Sequence, residues 1–214
     1  MAVSLALGTE LLSLVGDNAA LDERAGQLVA VATEQGFPYW HSQGAIYRGY
    51  AKVKNGDVAE GMLLLRDGSS AYRATGEELG LPFYIHLLAT ACEIAGKVEE
   101  GLALVDEALL IVERTGERWF AAELNRHKGQ LLLRHGNTEA AEELYRKALS
   151  IAVEQQAKLW ELRAAMSLAQ LWRDQGKRTE ARDLLAPAYG WFTEGFGSPD
   201  LKEAKALLAS LIIA

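Results

Sequence analysis

The sequence predicts an all-α protein: an α-solenoid of about five antiparallel helix hairpins with a 40-residue period, closed by a C-terminal capping helix. Three features carry that prediction. The first is a beat of glycines. Gly16, Gly56, Gly96, Gly136 and Gly176 stand 40 residues apart, and Gly36, Gly76 and Gly116 keep the same step midway, with Gln156 in the next place. Glycine tolerates the left-handed backbone that follows a helix, so each 40-residue unit reads as helix, turn and second helix. The second is composition. Half of the 214 residues are apolar and only four are proline, Ala, Leu and Glu abound, and Val and Ile never alternate with polar residues over a strand length. The third is a set of small residues that recur in register.

The hairpins follow in order. The first, 2–36, is irregular: Thr9 and Leu21 stand where later units carry small residues, which makes it a degenerate cap or a boundary where upstream chain has been lost. The second, 37–76, places Gly49, Gly61 and Gly68 at the small positions, with Leu65 between the last two. The third, 77–116, has Ala89, Gly101, Val105 and Ala108 in the same places. The fourth, 117–156, has Gly129, Ala141, Tyr145 and Ala148, and the fifth, 157–196, has Ala169, Ala181, Leu185 and Ala188. Small residues at a helix crossing let two backbones approach, and the large one fills the adjoining gap. "SPDLKEAKALLASLI" opens with a serine cap, a proline in the first turn and an early aspartate, and predicts the capping helix over 198–213. The whole chain, 1–214, reads as a single solenoid.

The small–small–large–small order around a helix–turn–helix resembles the tetratricopeptide repeat (TPR), so the expected architecture is a TPR-like superhelix. The period is 40 residues where 34 is usual, and longer helices account for the difference. "TEQGFPYWHSQGAIYRGYA", "AYRATGEELGLPFY", "TGERWFAAELNRHKGQLLL" and the stretch "LRAAMSLAQLWRDQGKRTEARDLLAPAYGWFTEGFGSPDLKEAKALL" are similar to the C-terminal helical-repeat region of large bacterial signalling proteins. Those proteins carry a class III adenylate/guanylate cyclase or DNA-binding domain and an ATPase module upstream. The resemblance runs from about residue 25 to the end and implies a sensor or protein-interaction region. None of the family's catalytic residues has a counterpart here.

Catalytic and cofactor chemistry finds no motif. Gly96-Lys97 and Gly176-Lys177 have the tail of a phosphate loop, but the glycine needed five residues earlier is replaced by Ala91 and Leu171. His41, His86, His127 and His135 include no pair at the three- or four-residue spacing that brings two imidazoles to one metal. The adjacent acids Glu99–Glu100 and Glu142–Glu143 point to different sides of a helix, and Glu142–Arg146 and Glu143–Lys147 are spaced to support one. Trp40, Phe120 and Trp160 share a repeat phase, beside Trp119, and read as core between repeats; Trp191 and Phe192 are expected under the final helix. The expectation is therefore no enzyme, no cofactor and no metal.

The net charge of −7 disfavours a nucleic-acid backbone or an anionic membrane as partner. Cys92 is alone, in an apolar stretch, which fits a buried residue in a reducing cytoplasm. The N-terminus has no basic region and Glu10 interrupts its apolar run, and no run reaches the 18 residues of a membrane span. The apolar tail "LLASLIIA" reads as the buried face of a last helix or as an oligomer contact, and a homodimer through a solenoid end is open.

In a stack of hairpins the first helix of each pair lines the concave face. The register places Gln43, Tyr47, Tyr50, Phe83, His86, Thr90, Glu93, Glu123, Arg126, Gln130, Arg163, Gln170 and Arg173 there. Arginine's planar fork suits carboxylates. The expected function is a protein-interaction scaffold or regulatory module that binds an extended or helical peptide, with acidic groups toward Arg126, Arg163 and Arg173. The alternative is a small-molecule effector domain, whose sign would be a deep closed cavity.

Overall fold

The computed structural model describes residues 2–212. They form eleven helices and no strand: α1 Ala2–Val15, α2 Asn18–Gln35, α3 Pro38–Lys54, α4 Val58–Ala74, α5 Leu81–Ile94, α6 Val98–Thr115, α7 Ala121–Arg134, α8 Thr138–Glu154, α9 Lys158–Asp174, α10 Arg178–Gly190 and α11 Pro199–Ile212. Two helices fall in each 40-residue unit and α11 follows as the capping helix. Its last expected residue, Ile213, lies outside the described residues.

The turns repeat because their chemistry repeats. Asp57 N–H reaches back to Lys52 O, Asn137 N–H to Leu132 O and Lys177 N–H to Trp172 O, each across the residue with positive φ. These bonds satisfy carbonyls that the helix end leaves open. One residue past three of the turn glycines, the side chains of Asp17, Asp57 and Asn137 accept from Ala20, Glu60 and Ala140 N–H and cap the next helix. In the fifth unit the same position is Lys177, which makes no side-chain cap. Gln156, in a glycine place, adopts φ 54° and is the one non-glycine residue with positive φ among those described.

Two compact units divide within α6, at Ile111 and Val112. In the first unit, α3 and α4 meet through glycine. A Cβ on Gly49 would stand 2.7 Å from the Leu65 nitrogen and 2.8 Å from the Gly61 oxygen, and one on Gly61 would stand 2.6 Å from the Gly49 oxygen. The expected small positions are where backbone meets backbone. Thr9 and Leu21, which replace this pair in the first hairpin, are both fully buried, and Thr9 Oγ1 donates to Leu5 and Ala6 carbonyls. Trp40 packs with Leu5 and Val31 on Ala2, Ala6 and Leu28. Tyr47, Tyr72 and Tyr84 form an edge-to-face cluster with ring centroids 5.8 Å and 4.8 Å apart. Burial, then the neighbouring Tyr84, holds the Tyr47 phenol well above its usual range.

In the second unit, Ala141 and Tyr145 of α8 pack on Leu168 and Leu171 of α9. Phe120 and Trp160 meet edge to face at 5.2 Å, the inter-repeat role expected of their shared phase. Leu162, Ala165 and Ala169 form a core with Ala181, Leu185 and the inner face of α11, Leu201, Ala204, Leu207 and Leu211. The apolar tail is thus buried face through Leu211; Ile213 and Ala214 lie outside the described residues. Phe192 packs on this core as expected. Trp191 does not: it is 58% exposed, with the Lys158 ammonium 5.9 Å above its ring. The helix ends at Gly190, and Trp191 follows in the turn beyond it, so it loses the helical register that would have aimed it inward.

Candidate functional site

The residues assigned to the inner face divide by burial. In the first unit, Gln43, Tyr47, Tyr50, Phe83, His86 and Glu93 are buried, and Thr90 is partly exposed. Tyr47 is a core side chain, whose ring packs against those of Phe83 and Tyr84. Thr90 Oγ1 donates to the His86 carbonyl at 3.0 Å and sits 3.5 Å from His86 Nε2. This half therefore presents few side chains to an incoming ligand. A helical register gives the direction of a residue but not the thickness of what covers it.

In the second unit the face is polar and connected. Arg126 on α7 grips Glu123, one turn earlier, through Nε and Nη2 at 2.8 and 2.7 Å. Its Nη1 donates to Gln130 Oε1 at 2.8 Å and to Ser167 Oγ on α9 at 3.3 Å. Arg163, also on α9, grips Asp200 on α11 through Nε and Nη2 at 2.7 and 2.9 Å, and its Nη1 stands 3.9 Å from Glu123. The Arg163 guanidinium lies 5.2 Å from the Trp160 ring. Burial opposes the charge on Arg163, but the Asp200 hydrogen bonds and the Glu123 field outweigh it and raise its pKa further. Two guanidinium groups and two carboxylates thus link three helices.

Arg126, Gln130 and Arg163 are thus brought together. Arg173 is not part of the group: it bonds the adjacent Asp174 at 2.9–3.0 Å. Gln170 is exposed on α9. Ser167 and Asp200 were not legible as members. Asp200 reads in sequence as a helix-start acid, and nothing at a separation of 37 residues announces Arg163 as its partner. A second inter-helix link has the same character. Glu142 on α8 accepts from the Trp172 indole of α9 at 3.1 Å and from Arg146 at 2.8 Å, and Arg146 lies 4.9 Å over the Trp172 ring. These bonds, the indole first, hold the Glu142 carboxyl below the usual range.

Among the described residues no group of His, Cys, Asp or Glu is arranged to hold a metal, and no helix is long and apolar enough to cross a membrane. Cys92 is buried, and burial followed by the field of Glu100 pushes its thiol up to about 11.

Models of the tetratricopeptide repeat match residues 83–152 and 162–189. The chain carries tetratricopeptide-like repeats. An uncharacterized protein of Rhizobium meliloti (strain 1021) is 30% identical over 168 residues, which are 77% of this chain but 16% of that protein. Among solved structures, Bacillus thuringiensis PlcR in complex with the peptide PapR7 and DNA superposes with a TM-score of 0.78 at 13% identity, covering 100% of this chain and 74% of that one. A signal-transduction ATPase with a tetratricopeptide-repeat sensor, from Pyrococcus horikoshii, superposes at 0.73 and 16% identity over 96% of this chain and 32% of that one. At these identities the likeness is one of fold, an all-α TPR-like superhelix.

Proposed function

We propose that the chain is a non-catalytic protein-interaction module of a bacterial regulator, which holds a peptide or protein segment along the first helices of its hairpins. The observation that carries this reading is the polar row on α7 and α9: Arg126, Gln130, Arg163 and Ser167 are half-buried on helices, with Arg126 hydrogen-bonded to Gln130 and Ser167 and Arg163 held by Asp200. Preorganised donors and acceptors of this kind suit a peptide's backbone and polar side chains, because little side-chain entropy is lost on binding. The fold likeness to PlcR, solved with a peptide, and to the sensor of a signalling ATPase supports the same reading. The cytoplasm is the expected compartment.

The network also refines the partner. Glu123 and Asp200 already fill the forks of Arg126 and Arg163, so an acidic ligand must share or exchange those contacts. Recognition then rests on hydrogen-bond exchange and contact area more than on net charge. The test is selection of peptides from a random library on the immobilised chain, followed by titration against Gln130→Ala and Gln170→Ala. Selected peptides should bind the double variant at least about tenfold more weakly, equal to roughly 1.4 kcal/mol. Equal binding to both proteins sinks this placement.

A further inference from the structure

The first helix carries an unfinished surface. Val3, Leu7, Leu11 and Val15 stand four residues apart on α1 and are 53%, 63%, 61% and 42% exposed. They form one ridge along about 18 Å of helix. The other exposed large apolar side chains among the described residues, such as Leu63, Leu110 and Val153, are scattered over different helices. The final helix contrasts with α1, because Lys202, Glu203 and Lys205 dress its outer face. In α1 the single charged side chain is Glu10, and it is off the ridge, only partly exposed.

Beside the ridge lies a shallow recess lined by Gly8, Leu11 and Leu12 of α1 and by Glu23 and Arg24 of α2. Arg24 lies across Gly8. Glu23 and Arg24 are exposed, and neither has an ion-pair partner among the described residues. The rim of the apolar ridge therefore carries one unpaired charge of each sign.

We infer that this face binds a second copy of the chain, α1 against α1 about a twofold axis. A twofold contact sets a surface against itself, so it must be complementary to itself. A ridge with i,i+4 spacing satisfies that requirement by packing beside its own copy in the commonest helix-crossing class. The charges fit too. Two copies that each carry −7 repel over most of their surfaces. Here the centre is uncharged, and the rim lets Arg24 of one copy face Glu23 of the other. Leu7 and Leu11 straddle the middle of the ridge and sit at the axis.

Sedimentation of the full chain tests the inference. Wild type is expected to dimerise at about 100 μM or below, the range of a modest apolar contact. Leu7→Glu with Leu11→Glu should give a monomer whose helical circular dichroism is unchanged, since both side chains are exposed. Glu23→Arg alone should weaken the dimer about tenfold, and Glu23→Arg with Arg24→Glu should restore it. A wild-type monomer at that concentration overturns the inference, whether or not another protein's helix then proves to cover the ridge. A dimer that persists in the Leu7→Glu, Leu11→Glu variant overturns it as well, since the contact then lies elsewhere.

Discussion

Gln156 shows how much a single position can reveal. It stands where the repeat calls for glycine and holds φ 54°, a conformation that disfavours residues with a Cβ by about 1–2 kcal/mol. Gln156→Gly should therefore raise stability in urea unfolding by about 1 kcal/mol, after its larger loss of chain entropy is subtracted. Gly61 is the opposite case. Its neighbours at 2.6–2.7 Å include the backbone of Gly49 and Val53, which cannot swing aside. Gly61→Ala is expected to cost about 3 kcal/mol by overpacking, visible as a lower urea midpoint at unchanged slope. Cys92 makes a chemical prediction. With its thiol raised to about 11 and buried, it should resist iodoacetamide at pH 7.5 until the protein unfolds, as followed by intact-mass spectrometry. Rapid labelling of the native protein would show that the α5 helix opens locally.

At the scale of helices, the caps and cross-links matter more than the composition of any one element. Lys177 occupies the cap place held elsewhere by Asp17, Asp57 and Asn137, and its charge opposes the helix dipole. Lys177→Asp should stabilise α10 by about 1 kcal/mol, measurable as slower hydrogen exchange in its first turn. Glu142 ties α8 to α9 through Trp172. Its carboxyl is depressed in the folded state, so its contribution is complete above the unfolded carboxylate range and is lost as pH falls through the folded value. Glu142→Gln should flatten the acid limb of the stability–pH curve and leave the alkaline limb unmoved. Asp200 holds α11 to Arg163. Asp200→Asn removes two charge-assisted hydrogen bonds and should cost about 2 kcal/mol, with exchange faster in α11 than in α8.

For the whole molecule, the two ways in which the chain can meet a partner have different physical signatures. Glu123 and Asp200 already hold the forks of Arg126 and Arg163, so the affinity of a selected peptide should change by no more than roughly threefold between 50 and 300 mM salt. A steep loss with salt, measured by titration calorimetry, would instead mean that a partner's carboxylates displace Glu123 and Asp200. The proposed α1 contact has an uncharged centre and should survive the same salt range, weakened only at its Glu23–Arg24 rim.

The glycine beat and the small residues at constant offsets determined the all-α class, the five hairpins and the turns without reference to structure. Each depends on local backbone physics: a residue must fit a left-handed turn or a backbone-to-backbone crossing whatever its distant neighbours are. The same register pointed to the first helices as the face to examine. What it could not set is which of those side chains are covered. Tyr47 and Phe83 are sealed because rings from other helices close over them, and Arg126 and Arg163 are neutralised by carboxylates, one of them from a helix 37 residues away. Trp191 turns outward because its helix stops one residue before it. Burial, pairing and the bare ridge on α1 arise from contacts between helices remote in sequence, so only the tertiary structure decided them.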